Sequence, residues 1–278
     1  MRNHGPEGKR AGLWFTFRDT ESFFIMLNQH LTSQAGELIL SMPFSITSAE
    51  TDMYGRARLS ALINLLIQSS IQSADRLGFG YSDFRPQNLF WVLSRISVEI
   101  AGPLRWMQTG EVETWPKDID KLLYIRDFIV RDNRERILAR ASSGWLTVDM
   151  ESKRSKLIDL EDPSVFFSLK DRHAGIHRPE KLGPVQGEAV AERKVSYFDL
   201  DINRHVTTTR YFDWMMDTFS YEFHRSRYPK TASVNFLKEI RPEETIEILR
   251  CETAENNFAF EGINKSRNLT AFRGRITF

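Results

Sequence analysis

The sequence predicts an α+β fold in which a long helix followed by antiparallel strands occurs twice. An amphipathic segment at 57–77, with apolar residues at steps of three and four, precedes four apolar, β-rich segments. A second helical segment at 208–223 precedes four more. A helix with one apolar stripe must bury it, and a sheet wrapped around the helix does so compactly. We therefore expect two similar halves.

Both halves are predicted to run in the order strand, helix and four strands. The first half is expected to have its strand at 43–48, its helix at 57–77 and its further strands at 89–100, 110–115, 124–131 and 137–149. The second is expected to have its strand at 193–198, its helix at 208–223 and its further strands at 231–240, 245–253, 258–265 and 269–278. This order is typical of a double hotdog fold, in which each half is a long helix wrapped by an antiparallel β-sheet.

These segments divide the chain into four parts. Residues 1–40 are an N-terminal extension of unknown role, 41–161 a first hotdog domain, 162–192 a linker and 193–278 a second hotdog domain. The linker is assigned from its content of Pro, Gly, Lys and charge. Its His173 and His177 have helix-type metal spacing in a Gly/Pro-rich context, so we expect solvated histidines and no metal site.

Composition permits a large core and excludes several classes of function. Of the 278 residues, 41% are hydrophobic, and the formal net charge is +1. A near-neutral chain lacks the excess of Lys and Arg that binds polyanions, so neither nucleic acid nor a membrane surface is an expected partner. The one cysteine, Cys251, excludes an internal disulfide and a Cys-rich zinc site, which suits a reducing, cytoplasmic setting. No apolar run is long enough for a membrane span.

The richest candidate site lies in a turn between the strand and the helix of the second half. Asp201, Asn203 and His205 place a carboxylate, an amide and an imidazole at alternate positions. Such a turn can orient a water molecule and shuttle a proton. Glu239 adds a second carboxylate just before a Pro-containing turn. Taken singly, Asp201 and Asn203 are more commonly turn or cap residues, His205 is equally well a core histidine, and Glu239 is equally well a charge that protects an edge strand from aggregation. Their joint occurrence favours a site.

Other common catalytic and ligand-binding motifs are either incomplete in this sequence or absent from it. The stretch from Asp199 begins like a calcium loop, but Arg204 stands where Gly is needed and Arg210 where Glu is needed. The chain has no Gly-x-Ser-x-Gly elbow, P-loop or dinucleotide fingerprint. Serine hydrolases, nucleotide enzymes and flavin or nicotinamide enzymes are therefore not expected.

The ordered set of motifs resembles the acyl-acyl carrier protein thioesterases of bacterial type, which are similar to the plant fatty acyl enzymes. The resemblance extends over about 42–278 and is carried by segments at 50–58, 89–95, 114–115, 126–128, 140–145 and 199–206, by Tyr211 and by Glu239. It implies a double hotdog hydrolase that cleaves fatty acyl thioesters with an activated water, without metal or cofactor. Acyl carrier protein is the implied partner.

The resemblance assigns catalysis to Asp201, Asn203, His205 and Glu239. We expect Glu239 or His205 to act as the general base, Asn203 to position the water and Asp201 to orient its neighbours. Backbone N–H groups at the start of the second helix are expected oxyanion donors, because a helix start lacks intrahelical partners. These groups belong to Val206, Thr207 and Thr208.

Two positions depart from the family pattern. Thr208 stands where members often have Asn, and its hydroxyl is expected to tune the site rather than abolish it. Ile240 stands where plant members commonly have Cys directly after the Glu, and Cys251 lies well downstream. We therefore expect hydrolysis through water and not through a nucleophilic cysteine.

The first domain is expected to bind the acyl chain along its helix. The apolar face of that helix is most simply core, but its small residues leave room for a hydrocarbon chain. The expected substrate-binding residues are Leu59, Leu62, Ile63, Leu66, Ser70, Ala74 and Trp91. A double hotdog holds both halves in one chain, so a monomer and a homodimer both fit.

The two halves can be aligned at the candidate site. Residues 52–56 align with 201–205, so that Tyr54 and Arg56 stand where the second half has an Asn and a His. Glu99 is expected to match Glu239. The second half alone is then expected to carry hydrolysis. Asp52 is expected to be a helix N-cap.

An acidic carrier protein requires a locally basic docking surface. The candidates are Arg126, Arg131, Arg134, Arg136, Arg140, Lys153, Arg154 and Lys156. Three other functions stay open: an acyl-CoA thioesterase, a hotdog hydro-lyase acting on hydroxyacyl or enoyl thioesters, and a non-catalytic acyl-binding module.

Overall fold

Ten β-strands form the main body of the described chain. The computed structural model describes residues 36–160 and 162–278, so the predicted extension at 1–40 lies almost entirely outside the described residues. The strands are β1 (Leu40–Ser45), β2 (Leu89–Ile100), β3 (Thr109–Asp120), β4 (Leu123–Asp132), β5 (Ile137–Asp149), β6 (Glu188–Lys194), β7 (Thr231–Phe236), β8 (Thr245–Ala254), β9 (Asn257–Asn264) and β10 (Leu269–Thr277). The helices are α1 (Leu59–Arg76), α2 (Tyr81–Phe84), α3 (Thr208–Met216) and α4 (Tyr221–Ser226).

The strands make one antiparallel sheet with an internal repeat. Their order is β1-β3-β4-β5-β2-β7-β10-β9-β8-β6, so reading outward from the central pair β2–β7 gives the same succession in both halves. The two halves join where β2 pairs with β7, and at that join the Ser97 and Ser233 hydroxyls lie 2.9 Å apart. The helices α1 and α3 occupy equivalent places in the two copies and contact each other. The predicted double hotdog is confirmed.

The second helix is shorter than predicted. A continuous helix at 208–223 is wrong, because α3 ends at Met216 and α4 begins only after Ser220. The Ser220 hydroxyl accepts a hydrogen bond from the backbone N–H of Phe223 at 3.2 Å. Such a side-chain cap favours starting a new helix over continuing the old one.

Strand limits near the candidate site also differ from the predictions. The first strand of the second half is Glu188–Lys194, not 193–198, and Tyr197–Asp199 forms a 3₁₀ turn. That turn is closed by Asp199, whose carboxylate accepts from the backbone N–H and the hydroxyl of Ser196 at 2.8 and 2.7 Å. The strand β7 ends at Phe236, not at the predicted residue 240, so Glu239 lies beyond this strand rather than in it.

The segment between the halves is held against the first-half sheet by a buried ion pair. Lys117 of β3 and Asp127 of β4 lie 2.6 Å apart, and both are almost fully buried. Lys117 also lies 2.9 Å from Nδ1 of His173, and the backbone N–H of Ala174 donates to Asp127 at 3.2 Å. His173 and His177 are both exposed, as expected of solvated histidines, although one ring nitrogen of His173 also contacts Lys117. No group of residues with metal-site geometry occurs within residues 36–160 and 162–278.

Two apolar clusters fill the interior. The larger includes Leu62, Ile63 and Leu66 of α1, all fully buried, and continues into the second half. The smaller lies at the end of α1 and is aromatic, with Phe79, Phe84, Tyr124 and Phe166 in it and Trp91 and Trp145 packed against it. Across the described ranges, no helix has the length and apolar character needed to span a membrane.

Replacing Leu62 with Ala is expected to lower the free energy of unfolding by about 2–5 kcal/mol, because the change leaves a cavity in the larger cluster. Leu122, between β3 and β4, is 43% exposed, and Leu122→Ala is the matched control, with an expected change within about 0.5 kcal/mol. Urea unfolding followed by circular dichroism measures both variants. Equal losses would contradict the placement of Leu62 in the core.

Candidate active site

The turn at 201–205 is built by the side chain of its first residue. Oδ1 of Asp201 accepts hydrogen bonds from the backbone N–H of Asn203 at 2.8 Å and of His205 at 3.2 Å. The backbone N–H of Asp201 donates to the carbonyl of His205 at 2.8 Å. Arg204 has φ +59°, a left-handed conformation that closes the turn. Asp201 thus orients its neighbours through backbone contacts.

Two further hydrogen bonds fix the turn to its surroundings. The backbone N–H of Val206 donates to the carbonyl of Ile240 at 2.9 Å, and that of Thr207 donates to the carbonyl of Asp199 at 2.8 Å. Both donors are therefore occupied, and the expectation that Val206 and Thr207 donate to an oxyanion is wrong. The N–H of Thr208, the first residue of α3, has no hydrogen-bond partner among the described residues.

The fixed turn brings His205 to Glu239. Nε2 of His205 and Oε2 of Glu239 lie 3.2 Å apart, and each side chain is about one third exposed. The other carboxylate oxygen, Oε1, accepts from Arg241, whose Nε lies 3.0 Å away and whose Nη2 also contacts it. Arg267 donates to the backbone carbonyl of Glu239. The carboxylate is thus held between an imidazole and a guanidinium.

The charge of Glu239 is stabilised by its partners. Burial alone would raise the pKa of Glu239, but the hydrogen bond from Arg241 and the charges of His205, Arg241 and Lys153 outweigh it and hold the pKa below its ordinary value. Behind the pair lies Tyr211, where burial, followed by the charges of Asp201 and Glu239, raises the pKa of the phenol. At neutral pH the site therefore contains a carboxylate anion and a neutral phenol.

Asn203 is not brought into contact with the other predicted catalytic groups. Its side chain is exposed at the tip of the turn and makes no hydrogen bond to the described part of the chain. Arg241, Arg267 and Lys153 also act on Glu239 and were not among the predicted site residues. Of these, Arg241 could have been predicted from the sequence, because it lies two residues from Glu239 in the same turn.

The first half contains the same turn without the same chemistry. Oδ1 of Asp52 accepts from the backbone N–H of Tyr54 at 2.9 Å and of Arg56 at 3.0 Å, as Asp201 does in the second half. Asp52 is therefore a turn former, and the expectation that it caps a helix is wrong, since α1 starts after Arg58. The Arg56 guanidinium pairs with Asp52 at 2.7 Å and donates to the backbone carbonyls of Arg227 and His224 at 3.1 and 2.8 Å.

The position of Glu239 has no carboxylate in the first half. The backbone N–H of Ala57 donates to the carbonyl of Leu104 at 2.7 Å, which matches the bond from Val206 to Ile240. Glu239, one residue before Ile240, therefore corresponds to Pro103. The expected match with Glu99 is wrong, because Glu99 lies within β2. At this position, the second half has a carboxylate where the first half has a proline.

A small apolar cavity of about 60 Å³ lies at the end of α1. Three of the predicted substrate-binding residues line it: Ser70, Ala74 and Trp91. The other four predicted residues do not line this cavity, because they pack in the larger core cluster: Leu59, Leu62, Ile63 and Leu66. The remaining lining residues are Ile71, Phe79, Pro116, Tyr124, Ile125, Arg126, Trp145 and Phe166. A second cavity of about 270 Å³ lies between the Asp52 turn and α3 and α4, and Leu59 lines that one.

Lys153 contacts the start of β2, and its charge also influences Glu239. Its Nζ lies 5.6 Å from the ring centre of Phe90, the residue before Trp91. Its charge also contributes to the lowered pKa of Glu239.

Comparison with known proteins agrees with this architecture. The family models for the acyl-ACP thioesterase N-terminal and C-terminal domains match residues 37–162 and 184–276. The chain is 23% identical over 230 residues to an oleoyl-acyl carrier protein thioesterase of Arabidopsis thaliana, covering 76% of this chain. It spans 63% of that relative, a little under two thirds of its length.

Two solved structures share the fold. An acyl-ACP thioesterase from Bacteroides thetaiotaomicron superposes with a TM-score of 0.81 at 23% identity, covering 86% of this chain and 97% of that one. A 12:0-ACP thioesterase from Umbellularia californica superposes with a TM-score of 0.73 at 22% identity, covering 86% and 96%. Since the two domain matches together cover well over half of its residues, the chain belongs to the acyl-ACP thioesterase family.

Proposed function

We propose that this protein hydrolyses the thioester of fatty acyl-acyl carrier protein to a free fatty acid and the carrier. The observation that carries the proposal is the His205–Glu239 contact of 3.2 Å. A protein that has both an acid–base pair and an apolar cavity suits an acyl thioester, whose carbonyl is polar and whose chain is not. The family membership of the chain supports the same substrate class.

His205 is the better of the two candidate bases. Both oxygens of Glu239 are engaged, one by His205 and one by Arg241, and the lowered pKa of this carboxyl makes it a weak proton acceptor. Imidazole is the side chain whose protonation changes near neutral pH. With Nε2–H donated to Glu239, Nδ1 is left to accept a proton from water. Glu239 is then a positioning residue that fixes the tautomer and stabilises the charged ring.

In the proposed reaction, water is the nucleophile, and this pair supplies the acid and the base. The imidazole takes a proton as the water oxygen attacks the thioester carbon, which gives a tetrahedral oxyanion. The oxyanion collapses, the C–S bond breaks, and the imidazolium returns its proton to the leaving thiolate. The unpartnered N–H of Thr208 at the start of α3 is the proposed oxyanion donor, because the helix start carries partial positive charge. Asn203, at the exposed tip, is proposed to hold the water once substrate covers the turn.

The two halves are proposed to have separate functions. Residues 41–161 bind the acyl chain, and residues 193–278 hydrolyse the thioester. In the second half, the rings of Phe219, Phe223, Phe258 and Phe278 contact one another with centre distances of 4.5–5.9 Å; Phe219 and Phe223 are stacked, and the other pairs meet edge to face. These rings fill the space around α4. The apolar cavity of the first half supports a chain site there.

The carrier is proposed to dock on the face that carries the catalytic turn. Among the earlier docking candidates Arg126 is buried, so its assignment to a surface is wrong. The turn itself exposes Arg204 and Ile202, the latter 90% exposed, and Tyr197 and Phe198 are exposed beside it. An apolar patch with basic neighbours complements an acidic carrier that presents a few apolar side chains.

The single cysteine further supports a cytoplasmic location.

The first experiment measures thiol release from acyl-acyl carrier protein and acyl-CoA of equal chain length. Release that favours the carrier is expected, with kcat lowered by about 10²–10⁴-fold in His205→Ala and Glu239→Gln, because each removes half of the acid–base pair. Asn203→Ala is expected to lower kcat as well. Glu243→Gln, an exposed carboxylate in the same turn, is the matched control and keeps activity. Preference for CoA would move the assignment to an acyl-CoA thioesterase, and formation of an enoyl thioester without thiol release would support a hydro-lyase.

The acid-side loss of stability that Glu239 contributes is expected to move to higher pH in Arg241→Gln. Losing the guanidinium removes a hydrogen bond and a positive charge, so the pKa of Glu239 rises toward or above its ordinary value. In the wild type, the stabilisation from the ionised carboxylate is present at neutral pH and disappears as pH falls through the lowered pKa. In the variant, that loss begins at higher pH. Plots of unfolding free energy against pH measure the shift, and Arg225→Gln on α4 is the control.

Reversing the charge at the docking face is expected to weaken carrier binding rather than chemistry. Arg204→Glu is expected to raise KM by about tenfold at low salt and to flatten the dependence of kcat/KM on ionic strength. Lys170→Glu, an exposed lysine of the segment between the halves, is the matched control and leaves both unchanged. An unchanged salt dependence in Arg204→Glu would refute this docking face.

A further inference from the structure

The two halves are related by an approximate twofold axis. The equivalent strands β2 and β7 pair antiparallel at the centre of the sheet, and the strand order reads the same outward from them. Along the chain, Asp52 matches Asp201 as the turn former. Arg58 matches Thr207 as the N-cap of the helix that follows, and both pairs have the same separation in sequence. The residues of α3 can therefore be matched one by one with those at the start of α1.

Asn64 and Gln68 of α1 match Asp213 and Asp217 of α3. The separation in sequence is the same again for both pairs. Burial agrees with the match, because Asn64 and Asp213 are both half-buried. Gln68 and Asp217 are both exposed. The two pairs therefore occupy equivalent places on the two helices.

Asp213 and Asp217 face the turn of the first half. Both line the cavity of about 270 Å³ that lies between the Asp52 turn and the helices α3 and α4. Asp213 lies 3.2 Å from Arg210. Asp217 lies 3.4 Å from Arg193, so each carboxylate has a cation beside it. The helix of one half thus supplies polar side chains to the turn of the other.

By the same twofold relation, α1 presents Asn64 and Gln68 to the catalytic turn at 201–205. Oδ1 of Asn64 lies 3.4 Å from Nε2 of Gln68, and neither amide makes another hydrogen bond to the described residues. The amino group of Asn64 and the carbonyl of Gln68 are therefore available to a ligand, one as a donor and one as an acceptor. Turning both amides around exchanges these two roles and loses neither.

The two amides precede the small apolar cavity along α1. Ser70, Ile71 and Ala74 line that cavity, whereas Asn64 and Gln68 lie nearer to the start of the helix. A hydrocarbon chain has no group that an amide can bind. If the chain lies in the cavity, its thioester and the arm beyond the sulfur lie on the side of the amides. In both acyl carrier protein and coenzyme A that arm is pantetheine, which contains secondary amides.

We propose that Asn64 and Gln68 bind the amide groups of the pantetheine arm, so that the first half supplies part of the substrate site of the second. This inference rests on the proposed thioesterase function. A secondary amide has one N–H and one carbonyl, which match the free acceptor and the free donor of the pair. The contact selects thioesters that carry an amide arm, and it is the same for carrier protein and coenzyme A. Two neutral amides also add no negative charge near the proposed oxyanion, as two carboxylates would.

The test compares two thioesters of one fatty acid, that of pantetheine and that of ethanethiol, which has no amide. Asn64→Leu and Gln68→Met, combined in one double variant, keep side chains of similar size and remove both amides. The variant is expected to raise KM for the pantetheine thioester by about tenfold, because hydrogen bonds to the arm are lost. Its kcat/KM for the ethanethiol thioester is expected to stay unchanged. Gln186→Leu, an exposed amide in the segment between the halves, is the matched control and changes neither.

Binding of an uncleavable analogue separates the arm site from catalysis. The probe is S-octyl pantetheine, a thioether that has the arm and an alkyl chain but no carbonyl beside its sulfur. Calorimetric titration is expected to give a Kd about tenfold higher in the double variant than in the wild type. Gln68 is exposed and Asn64 half-buried, so the variant is expected to fold, which urea unfolding checks. If it does not fold, the two single variants are measured, with smaller changes in the same direction.

The kinetic and binding results can overturn the two proposals separately. A wild type that cleaves thioesters, with KM and Kd unchanged in the folded variant, overturns the arm site alone. A wild type that cleaves no thioester overturns the proposed function, and the titration then decides the arm site. No binding of S-octyl pantetheine, or an unchanged Kd, overturns that site, and a raised Kd supports it. An equal loss of kcat/KM on both thioesters means that the amides act at the thioester itself and refutes their role in binding the arm.

Discussion

The pairing of β2 with β7 is the contact on which the arrangement of the site depends. It turns two sheets into one by pairing residues 95–99 of β2 with residues 231–235 of β7. Neither half has both components alone. The first half has an apolar cavity and has Pro103 at the position of Glu239, whereas the second has the His205–Glu239 pair and a cluster of aromatic rings. A continuous sheet fixes the distance between them.

The two turns show how one local structure serves two purposes. In both, an Asp at the first position accepts two backbone N–H groups, which sets the backbone whatever the other side chains are. In the first half, Arg56 folds back on Asp52 and reaches the backbone near α4, so the turn ties the halves together. In the second half, His205 is left to contact Glu239. The Asp residues thus fix the backbone of the turn in both copies, and the side chains around the two turns differ.

Much of this architecture was predictable because it follows from periodic patterns. The apolar stripe of α1 and the β-rich segments after it gave the repeat, and the Asp-x-Asn-x-His spacing located the turn. What failed depended on partners distant in sequence or on competition between local bonds. The occupied N–H groups of Val206 and Thr207 depend on Ile240 and Asp199, which only the folded chain brings near. The cap at Ser220 broke a helix that periodicity alone would continue.

The buried Lys117–Asp127 pair has a consequence for how this sequence can diverge. Changing either residue alone leaves an uncompensated charge in the interior, at a cost of about 3–5 kcal/mol, a large share of the roughly 5–15 kcal/mol that holds a domain folded. During evolution, a single substitution at either position therefore gives a poorly folded protein. Divergence here requires that both positions change together, or that stabilising substitutions elsewhere come first. The contact that fastens the segment between the halves thus makes two positions on neighbouring strands evolve as one.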